Sequence, residues 1–354
     1  NHAPFNQAPY CTASGVEPLF EHHTHSLVFN DAPRHTRVRR LIMGALTRRA
    51  IEAMEPGLVT LVDSLLDTLQ AKGGGDLIED FASAIPVEII GNLLDVPHAD
   101  RAPLRGWSLA ILGALEPALS PEQEMLGNQS VSEFLAYLRD LVAHRRAHPG
   151  DPEHDVLTRL IQGEDNGEAL SEVELLQNCI FLLNAGHETT TNLIGNALIC
   201  LQEWPAQRQQ LMADLQAAAS EAEREAILGL AVDEFLRFES SNQLGNRRAL
   251  QATQVNGVDL PEGALVTLCI GAANRDPAVY DHAEQLHLRR TGNKHLAFGF
   301  GVHQCAGLSL ARLEGRIAIG RFLQRFPHYQ LSQAPVRGGR ARFRGFLHAP
   351  FSTQ

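Results

Sequence analysis

One ten-residue segment concentrates the chemistry of this chain: Phe298-Gly299-Phe300-Gly301-Val302-His303-Gln304-Cys305-Ala306-Gly307. Glycines at 299, 301 and 307 let the backbone turn tightly and approach something flat, and one cysteine stands just ahead of a helical pattern. Peptide N–H groups at that helix start, aimed at the sulfur, predict a lowered thiol pKa and a thiolate fit to bind a metal. The plainer reading is a buried cysteine beside a Gly-rich turn, the usual fate of a lone cysteine. Spacing alone does not separate the two.

A second segment, Ala185-Gly186-His187-Glu188-Thr189-Thr190, lies inside a long apolar stretch. An acid followed by an alcohol offers a proton source and a hydrogen-bond donor, and Gly186 is expected to open the helix wall. Its alternative is a Thr-rich stretch with Glu188 in solvent. Glu234-Phe235-Leu236-Arg237 sets opposite charges three apart, where helical side chains are neighbours, a pattern that usually lies on a solvated face. Arg34-His35-Thr36-Arg37-Val38-Arg39-Arg40 looks like a basic nucleic-acid patch, but it is a short run in an acidic chain. His35 and Arg39, four apart, share a helical face. His22-His23-Thr24-His25 has no Cys or carboxylate set at tetrahedral spacing and reads as a solvated loop.

The 298–307 segment resembles the heme-binding loop of the cytochrome P-450 family, Phe-Gly-x-Gly-x-His-x-Cys-x-Gly, at every defined position. The resemblance implies heme b with Cys305 as axial thiolate, which pushes electron density onto the iron. It implies that His303, His35, Arg39 and Arg247 bind the heme propionates. Phe298 then shields the sulfur, while Gly299, Gly307 and Ala185 give the porphyrin room. Glu188 relays protons, and Thr189 hydrogen-bonds dioxygen. Glu234, Arg237 and Arg290 become a buried structural ion cluster, and Asn274-Arg275-Asp276-Pro277 is a further family-like stretch. By family position, Phe181, Asn184, Ala185, Asn242, Gln243, Leu244, Phe346 and Leu347 line the substrate pocket. Several of these are amides, which favours a substrate with hydrogen-bonding groups, since unpaired buried amides cost about 1–3 kcal/mol.

The implied activity is a heme-thiolate monooxygenase acting on a small organic substrate and O2. No flavin or iron–sulfur motif is present, so electrons are expected from a separate ferredoxin or flavodoxin with its reductase; Arg37 and Arg40 are expected to face that donor. Oxidative coupling or desaturation is the alternative within the class. A heme protein that binds gas without turnover is the alternative outside it, and the Glu188-Thr189 pair speaks against that.

These residues need elements to carry them. Ser171 with Glu174 marks a capping-box start, and nothing breaks the helical pattern before Trp204-Pro205. A helix over 172–203 would be roughly 48 Å long at ~1.5 Å per residue, a central buried helix. Apolar spacing predicts helices over 41–70, 84–95, 131–146, up to Phe238 and over 308–326, with Pro97, Pro117 and Pro121 as punctuation. Ala249–Val255 and Ala264–Ile270 read as strands around a turn over 258–263. The expected class is mainly α with a small β portion: the P-450 fold, a long central helix over a heme, in one domain spanning 1–354.

With 44% apolar and 20% charged residues the 354-residue chain has the composition of a globular protein. Its net charge of −11 argues against a generic nucleic-acid binder. No apolar run approaches a membrane span, so no membrane association is expected. Five scattered cysteines speak against a disulfide framework and for a reducing cytoplasm. Cys11, Cys179, Cys200 and Cys269 need no special role. The chain opens without Met where family members carry a further helix and strands, so a truncated N-terminus is expected.

Overall fold

Two capping boxes start the longest helices. Ser171 Oγ accepts from the Glu174 N–H while the Glu174 carboxylate accepts from the Ser171 N–H, satisfying orphan donors in both directions. The helix that follows, Glu172–Glu203, runs unbroken for 32 residues, as its capping signal predicts. Ser120 and Gln123 repeat the device for Pro121–Ala147, which starts well ahead of the predicted 131. Pro121 does not punctuate there. It is the first helical residue, where a missing N–H leaves no bond unmade.

The structure is a computed structural model and describes residues 5–6, 15–152, 155–165 and 167–353. Cys11 lies outside them. The helices in chain order are α1 (Glu17–His25), α2 (Arg34–Ala45), α3 (Arg48–Lys72), α4 (Ala84–Leu93), α5 (Leu104–Gly113), α6 (Pro121–Ala147), α7 (Val156–Gln162), α8 (Glu172–Glu203), α9 (Pro205–Ala217), α10 (Glu221–Phe238), α11 (Ile270–Ala273) and α12 (Leu308–Arg325). The expected helix over 41–70 is two helices, because α2 ends at Ala45 and Thr47 caps α3 by accepting the Ala50 N–H. α8 is buried along most of its length, with α4, α5, α6, α10 and α12 packed against it. No helix among the described residues is long and apolar enough to cross a membrane.

The β portion is small and antiparallel. Leu244–Ala249 pairs with Leu265–Cys269 on one side and Phe5–Asn6 on the other. Val258–Leu260, expected as part of a turn, is a strand paired with Thr253–Val255. The reversal falls at Asn256-Gly257, whose φ values of 48° and 79° are those a tight hairpin turn demands.

The His22-His23-Thr24-His25 run is not a solvated loop. It is the end of α1, with His22 and His23 buried. His22 Nδ1 lies 3.0 Å from Gln177 Oε1 on α8, and the His23 ring packs 5.0 Å from that of Phe29. Burial lowers their pKa values to about 4 and about 3, so both rings are neutral at pH 7 and serve as packing.

Candidate active site

The 298–307 segment folds back on itself. Cys305 N–H donates to Phe298 O at 2.8 Å, and Gly299 N–H to Leu296 O at 2.8 Å. Gly299 and Gly301 take φ values of +68° and +80°, where a side chain would be strained. Cys305 thereby stands two residues before Gly307, the N-cap of α12. Gly307 has an ordinary φ of −93° and an added Cβ would meet nothing within 4 Å, so neither backbone strain nor a neighbouring protein atom demands a glycine here. Phe298 is pinned beneath the Arg312 guanidinium, 4.8 Å from its ring, and Arg312 is held by Asp233 at 2.8 Å.

The sulfur does not have the lowered pKa expected of it. Burial pushes the Cys305 thiol up; the Gly307 N–H and the charges of Arg39 and Arg312 oppose this without reversing it. A metal would settle the matter, because a coordinating thiol is deprotonated outright.

Beside the loop gather four side chains that carry or can carry positive charge. His35 and Arg39 lie one turn apart on α2, and the His35 ring centroid is 4.1 Å from that of His303. Arg39 Nη2 donates to Gln304 O at 2.7 Å. Arg247, on the strand Leu244–Ala249, acts electrostatically on His303. His303 Nε2 lies 3.3 Å from Asp31 Oδ1, yet burial, with the charges of His35 and Arg247, lowers its pKa to about 4. Such crowding of cations suits a dianion bound by charge-assisted hydrogen bonds.

α2 is aimed by the N-terminus of α8. Arg34 Nε and Arg37 Nη2 both donate to Glu174 Oε1, at 3.1 and 2.5 Å. Arg37 reaches Glu168 as well, at 3.3 Å. Its charge is thus paired with two carboxylates, whereas Arg40 is exposed.

Along buried α8, Phe181 and Thr189 are half-buried and Ala185 is exposed. Spaced by four, they form one face. Thr189 Oγ1 donates to Ala185 O at 2.7 Å, and Ser241 Oγ donates to Thr189 O at 2.7 Å. Ser241 opens the stretch that runs through Asn242, Gln243 and Leu244 into the strand bearing Arg247. Gly186 does not open the helix. Its Cβ would strike Ile90 at 2.5 Å, so this glycine seats α4 against α8. Asn184 is buried with both amide atoms unpartnered. The Gln243 amide is already engaged, donating to Ser240 O at 2.6 Å.

Glu188 lies on another face of α8. Its Oε1 accepts from Arg340 Nη1 at 2.5 Å. Burial pushes this carboxyl up to about 7, with Arg340 opposing. Phe346, 7% exposed and overlaid by Arg337 at 3.9 Å, lines a small cavity with Glu188 and Leu347. Arg340 is a residue that sequence reading misses. It comes from a glycine-flanked turn 152 residues further along, and no local pattern marks it.

Glu234 and Arg237 are fully buried and joined by two bonds of 2.8 Å. Arg290 Nε, Asn293 Nδ2 and the His287 N–H complete the carboxylate, at 3.1, 3.1 and 2.8 Å. Arg237 also donates to Asn274 O, Ala283 O and Gln285 O. Every oxygen of the acid is used, and the irregular chain leading to the cysteine loop is tied to α10.

This donor set fits an iron porphyrin. A thiol is available to a metal and cation-capable side chains to two carboxylates, and the surface is open at Gly307 and Ala185, as a flat ring would need. Comparison with known proteins agrees. The sequence model of the family described as cytochrome P450 matches residues 115–337. The biotin biosynthesis cytochrome P450 of Bacillus subtilis is 36% identical over 306 residues, 86% of this chain and 74% of the relative. The polyketide biosynthesis cytochrome P450 PksS of the same species is 34% identical over 310 residues, 87% of this chain and 72% of the relative. The crystal structure of P450BioI with an acyl carrier protein bearing hexadec-9Z-enoic acid superposes with a TM-score of 0.92 at 33% identity, covering 99% of this chain and 88% of that one.

Proposed function

Because the chain belongs to the cytochrome P450 family and is a heme-dependent monooxygenase, we propose a role for each residue of its site. Heme bound here supplies the activation of O2, one oxygen atom leaving as water and the other entering the substrate. Cys305 would hold the iron through its sulfur, which Phe298 would shield. His35, His303, Arg39 and Arg247 would bind the two propionates, and Gly299, Gly307 and Ala185 would leave room for the ring. Thr189 offers its hydroxyl on the open face of α8. Glu188, with a pKa near neutrality, holds a proton that it can give up at working pH.

The observation that carries this reading is the meeting of one thiol with four cation-capable side chains from three separate segments. The substrate is an organic molecule with at least one hydrogen-bonding group, met by the unpartnered amide of Asn184 and bordered by Phe181 and Leu244. The relatives named above work in biotin and polyketide biosynthesis, which supports a biosynthetic substrate here too. Electrons come from a separate ferredoxin or flavodoxin with its reductase, in the cytoplasm.

The test begins with a spectral screen for compounds that shift the heme from low to high spin. The best binder is then turned over under oxygen-18 gas with surrogate redox partners. One labelled atom per product molecule is expected. An unlabelled, desaturated or coupled product would replace oxygen insertion by the other chemistry of the class.

A further inference from the structure

A short hairpin near the C-terminus carries two residues of the expected pocket wall, Phe346 and Leu347, with little of its own to hold them in place. Val336 pairs with His348 and Arg337 with Phe346, with a register shift between the two pairs, and the Gly338 N–H donates to Gly345 O at 3.1 Å. A two-stranded ribbon of this length is marginal in water, so the position of its side chains is set from outside. One acid stands where that setting is done. Glu239, 6% exposed, lies just past the end of α10, two residues after Arg237 of the buried charge cluster.

Three guanidinium groups converge on its carboxylate. Arg337 Nη1 donates to Oε1 at 2.9 Å, Arg344 Nε lies 2.8 Å from the same oxygen, and Arg275 Nη2 donates to Oε2 at 3.3 Å. Arg337 ends the first strand of the hairpin and Arg344 stands two residues before the second, so one carboxylate clasps both arms. Arg337 is thereby laid over the Phe346 ring, 3.9 Å from its centroid. Backbone bonds follow the same line. Asn196 Nδ2 on α8 donates to Glu239 O and Arg344 O, at 3.3 and 3.0 Å. The Arg344 N–H donates to Ser241 O at 2.9 Å, and the Gln243 N–H to Arg342 O at 2.8 Å. A Cβ at Gly345 would overlap the Asn192 amide, so the hairpin lies directly on α8.

We infer that Glu239 is a positioning residue for substrate binding: through Arg337 and Arg344 it fixes the hairpin against α8 and so sets the depth of the pocket wall at Phe346 and Leu347. This rests on the reading that those two residues line the substrate pocket. The chemistry of the clasp explains why an acid stands here. An amide or apolar side chain in its place would leave three cations turned toward one another with no opposite charge between them. The side chains of Arg337 and Arg344 are 41% and 48% exposed, so without the carboxylate both are free to turn to solvent, and the ring of Phe346 loses its cover. Ion pairs this open add little to stability, so what Glu239 secures is the placement of the hairpin and not the fold.

The experiment uses the heme-loaded enzyme and two nitrogen ligands of the iron, titrated by the shift of the heme absorption band. Imidazole is too small to need the pocket wall, whereas the phenyl ring of 4-phenylimidazole extends into the pocket. Glu239→Ala should weaken 4-phenylimidazole about tenfold and leave imidazole at its wild-type affinity, since small changes of fit in an apolar pocket are worth roughly 10–200-fold. Glu239→Asp, which keeps the charge on a shorter arm, should lose only about threefold. Phe346→Ala reports on the wall itself and should show the same selective loss as Glu239→Ala. If Phe346→Ala changes neither affinity, the pocket reading of this hairpin falls. If Phe346→Ala weakens 4-phenylimidazole and Glu239→Ala does not, only the role given to Glu239 is overturned. An equal loss of both ligands in Glu239→Ala overturns that role too, because it marks damage to the heme site and not a displaced wall. Should Glu239→Ala not fold, Glu239→Asp and Arg344→Met, the latter at a half-exposed side chain, still decide by the same selective loss or its absence.

Discussion

Glu188 and Thr189 are neighbours in sequence that do different things, because consecutive helical residues point about 100° apart. Thr189 opens onto the half-exposed face of α8, and Glu188 is clamped by Arg340 on another. Thr189→Ala is expected to keep reductant consumption and divert it into hydrogen peroxide. Glu188→Gln is expected to slow turnover, since a general acid contributes typically ~10²–10⁴-fold. The measurement is the ratio of product to reductant consumed, with peroxide titrated alongside. An unchanged ratio in Thr189→Ala would mean that protons reach the oxygen without this hydroxyl. The acid–alcohol pair is legible in the sequence because it is contiguous. Arg340 is not, since what makes it matter is a partner far along the chain.

At the scale of elements, Glu174 does two jobs. It closes the capping box of α8 and brackets Arg34 and Arg37 of α2, so the helix bearing His35 and Arg39 is oriented by the start of the helix bearing Thr189. Burial alone would raise its pKa, but the Arg37 bond, the Ser171 N–H and Arg34 together lower it from 4.5 to about 2. A carboxylate depressed in the folded state contributes stability that is present above 4.5 and lost as the pH falls toward 2. The melting temperature of the wild type should therefore fall more steeply across that window than that of Glu174→Gln. Parallel curves would show that the bracket adds nothing.

The Glu234 cluster is a second such tie. Glu234→Ala strands Arg237 and Arg290, and breaking a buried pair in this way typically costs about 3–5 kcal/mol. Expression should yield little folded, heme-loaded protein, and a stable, fully active variant would contradict the burial of the cluster. The capping box was legible because its signal spans four residues. The break between α2 and α3 was not, since apolar spacing runs on through Leu46-Thr47 and only the Thr47 cap interrupts it. Buried His22 and His23 misled for a similar reason: neutral imidazole packs as a half-apolar ring, yet reads as polar.

At the scale of the whole molecule, the site is assembled from segments near residues 35, 185, 247 and 303. Each carries a few residues that would be unremarkable alone, and the fold brings the α2 pair, the Arg247 strand and the cysteine loop together. The sequence made the loop legible because its glycines, His303 and Cys305 fall within ten residues. The state of the sulfur was not legible, because burial outweighs the helix start that sequence alone brings into view. The central claim is that Cys305 supplies a thiolate to heme iron. The measurement is the absorption spectrum of the reduced, carbon-monoxide-treated holoprotein, compared among wild type, Cys305→His and the exposed control Cys269→Ser. Wild type and Cys269→Ser are expected to show the red-shifted band that marks thiolate ligation, and Cys305→His to lose it. A Cys305→His protein that keeps the band would contradict the account.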